Sequence, residues 1–495
     1  MKLLIRADGN ARIGTGHVMR CLSLAQGWKR SGGDAVFGAA EITSSLEDRL
    51  RTAAIPFSKI NFPIGSAGDA EQTIQLARAQ HADWVVADGY SFDAEYQQRI
   101  KQAGFRLLLL DDFGHAEHYF ADLVLNQNLH ANAALYSKRE AGTRLLLGTG
   151  FALLRQEFAA CQAWKRDIPA TARKVLVTLG GGDPDNVTGM VIEALAQWSE
   201  IEAKVVVGGS NPYVEKLKSK ICNQKSKIEL IMDAKNMPEL MAWADVAIAA
   251  GGTTSWELAF MGLPSLVIVL ADNQIDVAHR LDSEGVSINL GAFSKLGPEK
   301  IASALKSLLE DAAQRSAMAH AGRQLVDGNG VGKVVTRLRA AAVTLRPASI
   351  EDARRFWEWA NDPGVRASAF SPEPIPWEAH QKWFAAKLTS PDSRIFVGLN
   401  GGGTPFGQIR FDRNSEGAVE IDVHVDAGAR QSGLGSALIC AGADEALALP
   451  SVQTLHAHIK LDNVASIRAF EKAGFHREGV ISMRGQQACH LTLTR

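Results

Sequence analysis

The 495-residue chain lacks three features that would assign it quickly. Its five cysteines, Cys21, Cys161, Cys222, Cys440 and Cys489, are odd in number, scattered and never in a C-x-x-C pair. No disulfide framework or zinc motif is signalled, and a reducing cytoplasm fits best. Neither sign of charge dominates: 53 Lys and Arg against 54 Asp and Glu leave a net charge of −1, without the basic surplus of a dedicated nucleic-acid binder. Long apolar runs are missing too, since stretches such as 266–271 fall far short of the roughly 18 residues that raise a membrane span. The opening MKLLIRAD meets Arg6 too soon for a secretory leader and reads as a first β-strand. The expected partners are therefore small molecules, not nucleic acid or membrane; oligomeric state is not legible. No internal repeat or low-complexity tract is present.

What is there is ordinary globular material, 46% hydrophobic and 22% charged, long enough for about three domains at roughly 150 residues each. Up to about residue 340, short apolar runs at 3–7, 84–87, 107–110, 175–179, 205–207, 246–249 and 265–270 alternate with helical patterns. That rhythm predicts βαβ units and parallel sheets covered by helices. Glycine-bearing strand ends at 14–16 and 180–182 each lead their own train of strands, which two stacked α/β domains explain, joined through the charged segment 163–173. From 343 onward the pattern changes. A strand, Gly-rich turn and strand span 398–411, and 418–425 alternates Glu420, Asp422 and His424 against Val419, Ile421, Val423 and Val425, predicting an α+β domain with antiparallel pairing. The expected domains are 1–165, 166–342 and 343–495.

Three glycine-containing loops in the first two domains carry candidate chemistry. Gly14-Thr15-Gly16-His17 lies between the first strand and a helix, where two glycines let backbone N–H groups approach an anion such as a diphosphate. Met19 stands where a dinucleotide fingerprint has its third glycine, so a nicotinamide cofactor is disfavoured. His17 is either functional or a polar helix cap. Gly180-Gly181-Gly182-Asp183, with Asn186, is a second possible phosphate cradle, and Gly252-Thr253 with Glu257 opens a further helix. A carboxylate there suits a ribose diol, or simply the helix dipole. His115 and His118 lack a convincing set of further metal ligands.

The motifs RADGNARIGTGHVMRCLSLA, VVADGY, LLLLDD, LVLNQN, LGGGDPDN, GGTTSWE and ADNQ, in that order, resemble the UDP-2,4-diacetamido-2,4,6-trideoxy-β-L-altropyranose hydrolases of pseudaminic acid biosynthesis over residues 1–340. Spore-coat polysaccharide proteins share the opening motif. The resemblance implies a two-domain glycosyltransferase-B-like α/β fold, with UDP on the second domain and the sugar in the cleft. His17 matches the catalytic histidine, Glu257 the acid holding the nucleoside, and Asn273 and Gln274 the polar pair facing the diphosphate-sugar. Asp88 and Tyr90 fall in the cleft motif. The implied reaction is inverting cleavage of the sugar C–O bond without metal, with UDP-sugar contacts also at Gly14, Gly16, Gly181, Gly182, Asp183, Asn186, Gly252 and Thr253.

The third domain reads similarly. VHVDAGARQSGLGSA at 423–437 runs from a strand through Arg430-x-x-Gly433-x-Gly435 into a helix, a cradle for a second pyrophosphate, and LDNVAS at 461–466 precedes another helix. Together they resemble the GNAT acetyltransferase superfamily over 343–495. The resemblance implies acetyl-CoA as co-substrate, held by Val423, Val425, Arg430, Gly433, Leu434, Gly435, Ser436, Asn463, Ser466 and Phe470. Phe470 stands where a thiolate-protonating tyrosine is common, which leaves the general acid open, with water as one alternative. Glu420, Asp422 and His424 are candidates for taking the amine proton, or a solvated sheet face. His456 and His458 are packing residues or, with His424, metal ligands. The segment WEWANDPGVR at 357–366 resembles the acceptor-side helix of the acetyltransferase acting one step earlier in the same pathway, and also segments of aminoglycoside and ribosomal-protein acetyltransferases, so a bifunctional enzyme performing consecutive steps is expected, the alternative being a glycosyltransferase or a hydrolase of another UDP- or CMP-sugar fused to an acetyltransferase for an unrelated amine.

Overall fold

Most of the early strands are buried along nearly their whole length, as a parallel sheet covered on both faces requires. In the computed structural model, which describes every residue except 11–12, 210, 223–226 and 416, β1 (Lys2–Ala7), β2 (Asp34–Ala39), β3 (Phe57–Lys59), β4 (Trp84–Asp88), β5 (Arg106–Leu110), β6 (Leu123–Asn126) and β7 (Arg144–Leu147) form one parallel sheet in the order β3-β2-β1-β4-β5-β6-β7. Ala11 and Arg12 of the opening motif thus lie outside the described residues. A second parallel sheet contains β8 (Lys174–Thr178), β9 (Glu202–Val207), β10 (Lys227–Met232), β11 (Val246–Ala250), β12 (Ser265–Val269) and β13 (Ser287–Ala292), in the order β10-β9-β8-β11-β12-β13.

In each sheet the strand order reverses beside its first strand, between β1 and β4 and between β8 and β11. Open parallel sheets form their ligand crevices at the carboxyl ends of strands at such a switch point. The loops after β1, β4, β8 and β11 carry the glycine, His17, Asp88-Tyr90 and Gly252-Thr253 motifs, so topology puts the singled-out residues at the crevice positions. The helices Val187–Leu195 and Pro298–Glu310 bury Val191, Ile192, Ile301 and Leu305 against Val177, Val205 and Ile248 of the second sheet, while Thr254–Phe260 packs on its other face.

Contacts divide the chain into a unit Met1–Val331, holding both parallel sheets, and a unit Gly332–Arg495. In the latter, β14 (Thr344–Pro347), β15 (Ser393–Leu399), β16 (Pro405–Arg413), β17 (Val419–Val425), β18 (Thr454–Lys460), β19 (His476–Met483) and β20 (Gln486–Thr494) are ordered β14-β15-β16-β17-β18-β20-β19. Every pairing is antiparallel except β17 with β18. That parallel pair is joined only at Val419↔Leu455 and Glu420↔His456, after which the strands part. The helix Leu434–Leu447 buries Leu438, Ile439 and Cys440 against Ile409, Phe411 and Ile421 on one face of the sheet. Among the described residues no helix is long and apolar enough to cross a membrane.

Candidate active sites

In the first unit, His17 sits in the opening turn of the helix Gly16–Arg30, whose N-cap Thr15 makes no side-chain cap bond. The imidazole is half-buried and meets the Tyr90 ring edge-on, with centroids 5.1 Å apart. One turn further along the same helix face, Arg20 is buried between two carboxylates. It donates to both oxygens of Asp88 at 2.7 Å each, and to Asp112 at 2.8 and 3.1 Å. Asp112 also accepts from the Tyr90 hydroxyl and from Asn128 Nδ2, each at 2.8 Å. Burial pushes the Asp112 pKa up, but the Arg20 charge and hydrogen bonds, with His17 and Tyr90, outweigh it and hold the carboxyl far below the usual range. Burial and Asp112 raise the Tyr90 phenol, so it stays protonated and donates.

The second half of this unit closes on the same point. Asn273 Nδ2 donates to the Tyr90 hydroxyl at 3.0 Å. A Cβ on Gly181 would stand 2.9 Å from Thr15 Cγ2, so the approach of the two glycine loops requires a residue without a side chain there. A Cβ on Gly16 would lie in ordinary contact with Thr253, at 3.5 Å. Gly14, at φ +84°, and Gly252 have open space where a Cβ would be. The structure thus gathers Gly14, Gly16, His17, Tyr90, Gly181, Thr253 and Asn273 around one cleft.

Other anticipated residues are spoken for. Asp88 is 1% exposed and both its oxygens accept from Arg20. The Asp183 carboxylate accepts from the backbone N–H groups of Val187 and Thr188 at 2.8 and 2.9 Å, at the N-terminus of the helix Val187–Leu195. Gly182 is buried beside it, and Asn186 adopts a left-handed conformation just before that helix. The Gln274 carbonyl accepts from Leu270 N at 3.0 Å and shapes its own turn. Glu257 lies in the first turn of Thr254–Phe260, held by Arg155 Nε and Nη2 at 2.6 Å each. Arg20, Asp112, Asn128 and Arg155 were not anticipated. The only signals for them were the spacing of Arg20 from His17 and the place of Asp112 and Asn128 in the strand-end motifs.

In the second unit, Gly433 caps the helix Leu434–Leu447 at φ +82° without a side-chain cap bond. Leu434 and Ser436 enter that helix, and the Ser436 hydroxyl turns back to Gly433 O at 3.1 Å. A Cβ on Gly435 would touch Val425 at 3.5 Å, which places the loop beside the parting end of β17; Val423 and Val425 pack on the core there. At this turn Leu434 N donates to Ser432 Oγ at 3.4 Å. Arg430 donates to Asp362 at 2.6 Å and to Val425 O at 3.2 Å. Asn463 caps Val464–Lys472 by accepting from Ser466 N at 3.2 Å, so these two residues bond each other. Phe470 is buried in the core, edge-on to Phe475, and has no proton to give.

The polar face of β17 is wired as well as solvated. Asp422 accepts from Gln408 at 3.1 Å, with Arg410 at 3.7 Å and His424 at 3.6 Å. Burial opposes its charge, but Arg410 and His424 keep its pKa lowered. Burial, helped by the Arg410, Arg366 and Arg430 charges, lowers His424 against the pull of Asp422. His456 pairs with His490, Nδ1 to Nε2 at 3.0 Å, and His458 stacks on His490 with centroids 4.9 Å apart. Among the described residues no group of three or more His, Cys, Asp or Glu is arranged to hold a metal ion.

Two classes of domain emerge from comparison with known families. Residues 175–329 match the glycosyltransferase family 28 C-terminal domain, and residues 342–476 match the acetyltransferase (GNAT) domain. With the sheet topology, the fold is a glycosyltransferase-B-like α/β pair followed by an α+β GNAT domain. Individual relatives follow the same division. The uncharacterized protein MJ1062 of Methanocaldococcus jannaschii is 23% identical over 491 residues, 96% of this chain and 97% of that protein. The spore coat polysaccharide biosynthesis protein SpsG of Bacillus subtilis is 25% identical, matching 68% of this chain and 98% of its own length. The UDP-2,4-diacetamido-2,4,6-trideoxy-β-L-altropyranose hydrolase of Campylobacter jejuni is 25% identical, matching 58% of this chain and 98% of its own length.

Proposed function

We propose that the chain is a bifunctional enzyme of nucleotide-sugar metabolism, an acetyl-CoA-dependent N-acetyltransferase fused to a UDP-sugar hydrolase, acting on consecutive intermediates of pseudaminic acid biosynthesis. The acetyltransferase acylates the 4-amine of UDP-4-amino-4,6-dideoxy-N-acetyl-β-L-altrosamine. The hydrolase then releases UDP and 2,4-diacetamido-2,4,6-trideoxy-β-L-altropyranose. The observation that carries the hydrolase half is His17 at the cleft where two switch-point crevices meet, beside a Tyr90 tied to both halves of the unit. Its imidazole takes a proton from water as the oxygen attacks the anomeric carbon. The C1–O bond to the diphosphate breaks and UDP leaves. Asp112 is neutralised by Arg20 and does not compete for that proton.

In the acetyltransferase half, the glycine turn at Gly433–Gly435 receives the pyrophosphate of acetyl-CoA, and the parted ends of β17 and β18 admit its arm. The acceptor nitrogen attacks the thioester carbonyl, the C–S bond breaks, and the amine proton passes to the Asp422–His424 face through water. With Phe470 buried, water returns a proton to the leaving thiolate.

The test is mass spectrometry and NMR of the purified protein with the UDP-4-amino sugar, with and without acetyl-CoA. Acetyl-CoA-dependent formation of the free diacetamido sugar and UDP is expected. Hydrolysis of pre-acetylated substrate alone sends the GNAT domain to another amine. In the same assay His17→Ala lowers UDP release by about 10²–10⁴-fold, as loss of a general base does, and leaves acetylation unchanged. The match of residues 175–329 to a glycosyltransferase domain favours one rival, sugar transfer to an acceptor. UDP release that requires an added acceptor and yields no free sugar selects it.

A further inference from the structure

In the second unit, the loop from β17 into the glycine turn holds Gln431 in an unfavourable conformation, with φ at +62°. A side chain in the left-handed region crowds its own carbonyl, and such a conformation persists only where neighbouring contacts over-determine it. On one side of Gln431, Ser432 is fixed. Its hydroxyl donates to Ala429 O at 2.6 Å, and its carbonyl accepts from Arg339 Nη1 at 2.8 Å. On the other side the restraint comes from a segment 68 positions earlier, where Asp362 Oδ1 accepts from Arg430 Nη2 at 2.6 Å. Arg430 Nε meanwhile donates to Val425 O at 3.2 Å.

The same segment also reaches the start of the loop. The Trp359 indole donates to Asp426 Oδ2 at 2.9 Å, while Asp426 Oδ1 accepts from Gly428 N at 2.9 Å. Trp359 is buried with Phe356 and Phe384, which makes it a fixed post. Asp362 is fixed as the cap of Pro363–Ser368, accepting from Val365 N at 3.1 Å. Between them Gly364 leaves room for the guanidinium: a Cβ there would stand 2.9 Å from Arg430 Nη1. Its φ is not positive, so space is what this glycine supplies. With side-chain exposures of 36% and 21%, the pair of Arg430 with Asp362 contributes little to stability. What it fixes is geometry.

We propose that Asp362 is a positioning residue for acetyl-CoA. By holding Arg430 it keeps Gln431, and with it the backbone of the turn, in the bound conformation before the co-substrate arrives, so binding does not include the cost of ordering the loop. This rests on the reading that the turn at Gly433–Gly435 receives the pyrophosphate of acetyl-CoA. The segment expected to face the amine acceptor thereby also sets the affinity for the acyl donor.

Calorimetric titration of the full chain with acetyl-CoA tests it. Asp362→Ser keeps a capping oxygen but is too short to reach Arg430, and it weakens acetyl-CoA binding about tenfold, the scale of one non-glycine residue held left-handed. Gly364→Ala, which pushes the guanidinium aside while leaving both partners in place, weakens binding in the same direction. Once Arg430 is replaced by Met, adding Asp362→Ser changes the affinity by less than about twofold. Gln431→Gly, for which the left-handed region is free of strain, brings Asp362→Ser back to within about threefold of wild type, a recovery that a merely structural ion pair does not give. Unchanged affinity in Asp362→Ser, an undiminished loss in the Arg430→Met background, or no recovery with Gln431→Gly overturns the proposal. Wild-type protein that fails to bind acetyl-CoA rejects the underlying reading, and the proposal with it.

Discussion

Replacing Arg20 by Met is the sharpest probe of how the hydrolase cleft is built. The guanidinium makes four hydrogen bonds of 2.7 to 3.1 Å to two carboxylates, with 3% of its side chain exposed. Methionine fills much of the volume but leaves both acids without a cation. Removing one partner of a buried ion pair costs about 3–5 kcal/mol, because the remaining charge is stranded. At roughly 2 °C per kcal/mol for a large domain, the first unit melts about 6–10 °C lower at pH 7. The two acids are not equivalent. Among the described residues, Asp112 keeps Tyr90 and Asn128, whereas Asp88 keeps only the Cys21 thiol at 3.4 Å. Adding Asp88→Asn to Arg20→Met therefore restores more stability than adding Asp112→Asn. The pH dependence has a definite sign. The wild-type Asp112 pKa is depressed, so its pairing stabilises above the unfolded value of about 4 and is lost as pH falls through the folded value. The gap between wild type and variant accordingly narrows on acidification below pH 4. Thermal and urea unfolding across pH 3–7 read all of this. A loss under about 1 kcal/mol at pH 7, or a deficit independent of pH and unrelieved by Asp88→Asn, would refute the reasoning.

Two further predictions concern closure of the cleft and the acid response of the second unit. Gly181→Ala places a Cβ 2.9 Å from Thr15 Cγ2, so it slows UDP-sugar turnover in steady-state assays, and Thr15→Ser, which removes that methyl group, restores part of the rate. In Gly332–Arg495, burial lowers His380, His424, His456 and His458. The unfolded chain then binds more protons, so this contribution is present above the unfolded value of about 6.5 and is lost as pH falls through the folded values. His115 in the first unit is shifted the other way, burial being outweighed by Asp111, and contributes below about 6.5. Scanning calorimetry at pH 7.5 and 5.5, with UDP and acetyl-CoA marking each transition, shows the second unit losing more stability.

The fold was legible because burial on both faces writes parallel strands as unbroken apolar runs, while the alternation of 418–425 marks a sheet with one wet face. His17 and the glycine loops were legible for a related reason. Short connections after strands leave few positions that can face a crevice, and glycine is needed where two loops nearly touch, as at Gly181 and Thr15. What stayed hidden was pairing across distance. Nothing in the sequence says that Arg20 joins Asp88 and Asp112, or that Arg155 meets Glu257 across 102 positions. Asp88 and Asp183 show the converse. Each stands in a motif that points to a ligand, yet one is consumed by Arg20 and the other by the backbone of its own helix.

That consumption bears on how much chemistry the fusion itself must supply. In both units the charged groups nearest the proposed reaction centres are paired within their own unit: Asp112 by Arg20, Glu257 by Arg155, Asp422 by Arg410 and His424. Neither cleft presents an uncompensated carboxylate or guanidinium among these residues that needs the other unit to neutralise it. If the two activities are consecutive, as proposed, the advantage of joining them lies in concentration. Under the proposed order of reactions, a tethered second site would see the acetylated UDP-sugar at an effective concentration set by the distance and stiffness of the connection, and would gain nothing once the free intermediate exceeds that value. Such a benefit requires only that the first product leave slowly enough to be caught, not that a channel be built. The chemistry of each unit can therefore be complete on its own terms while the pair still outperforms a mixture at low substrate.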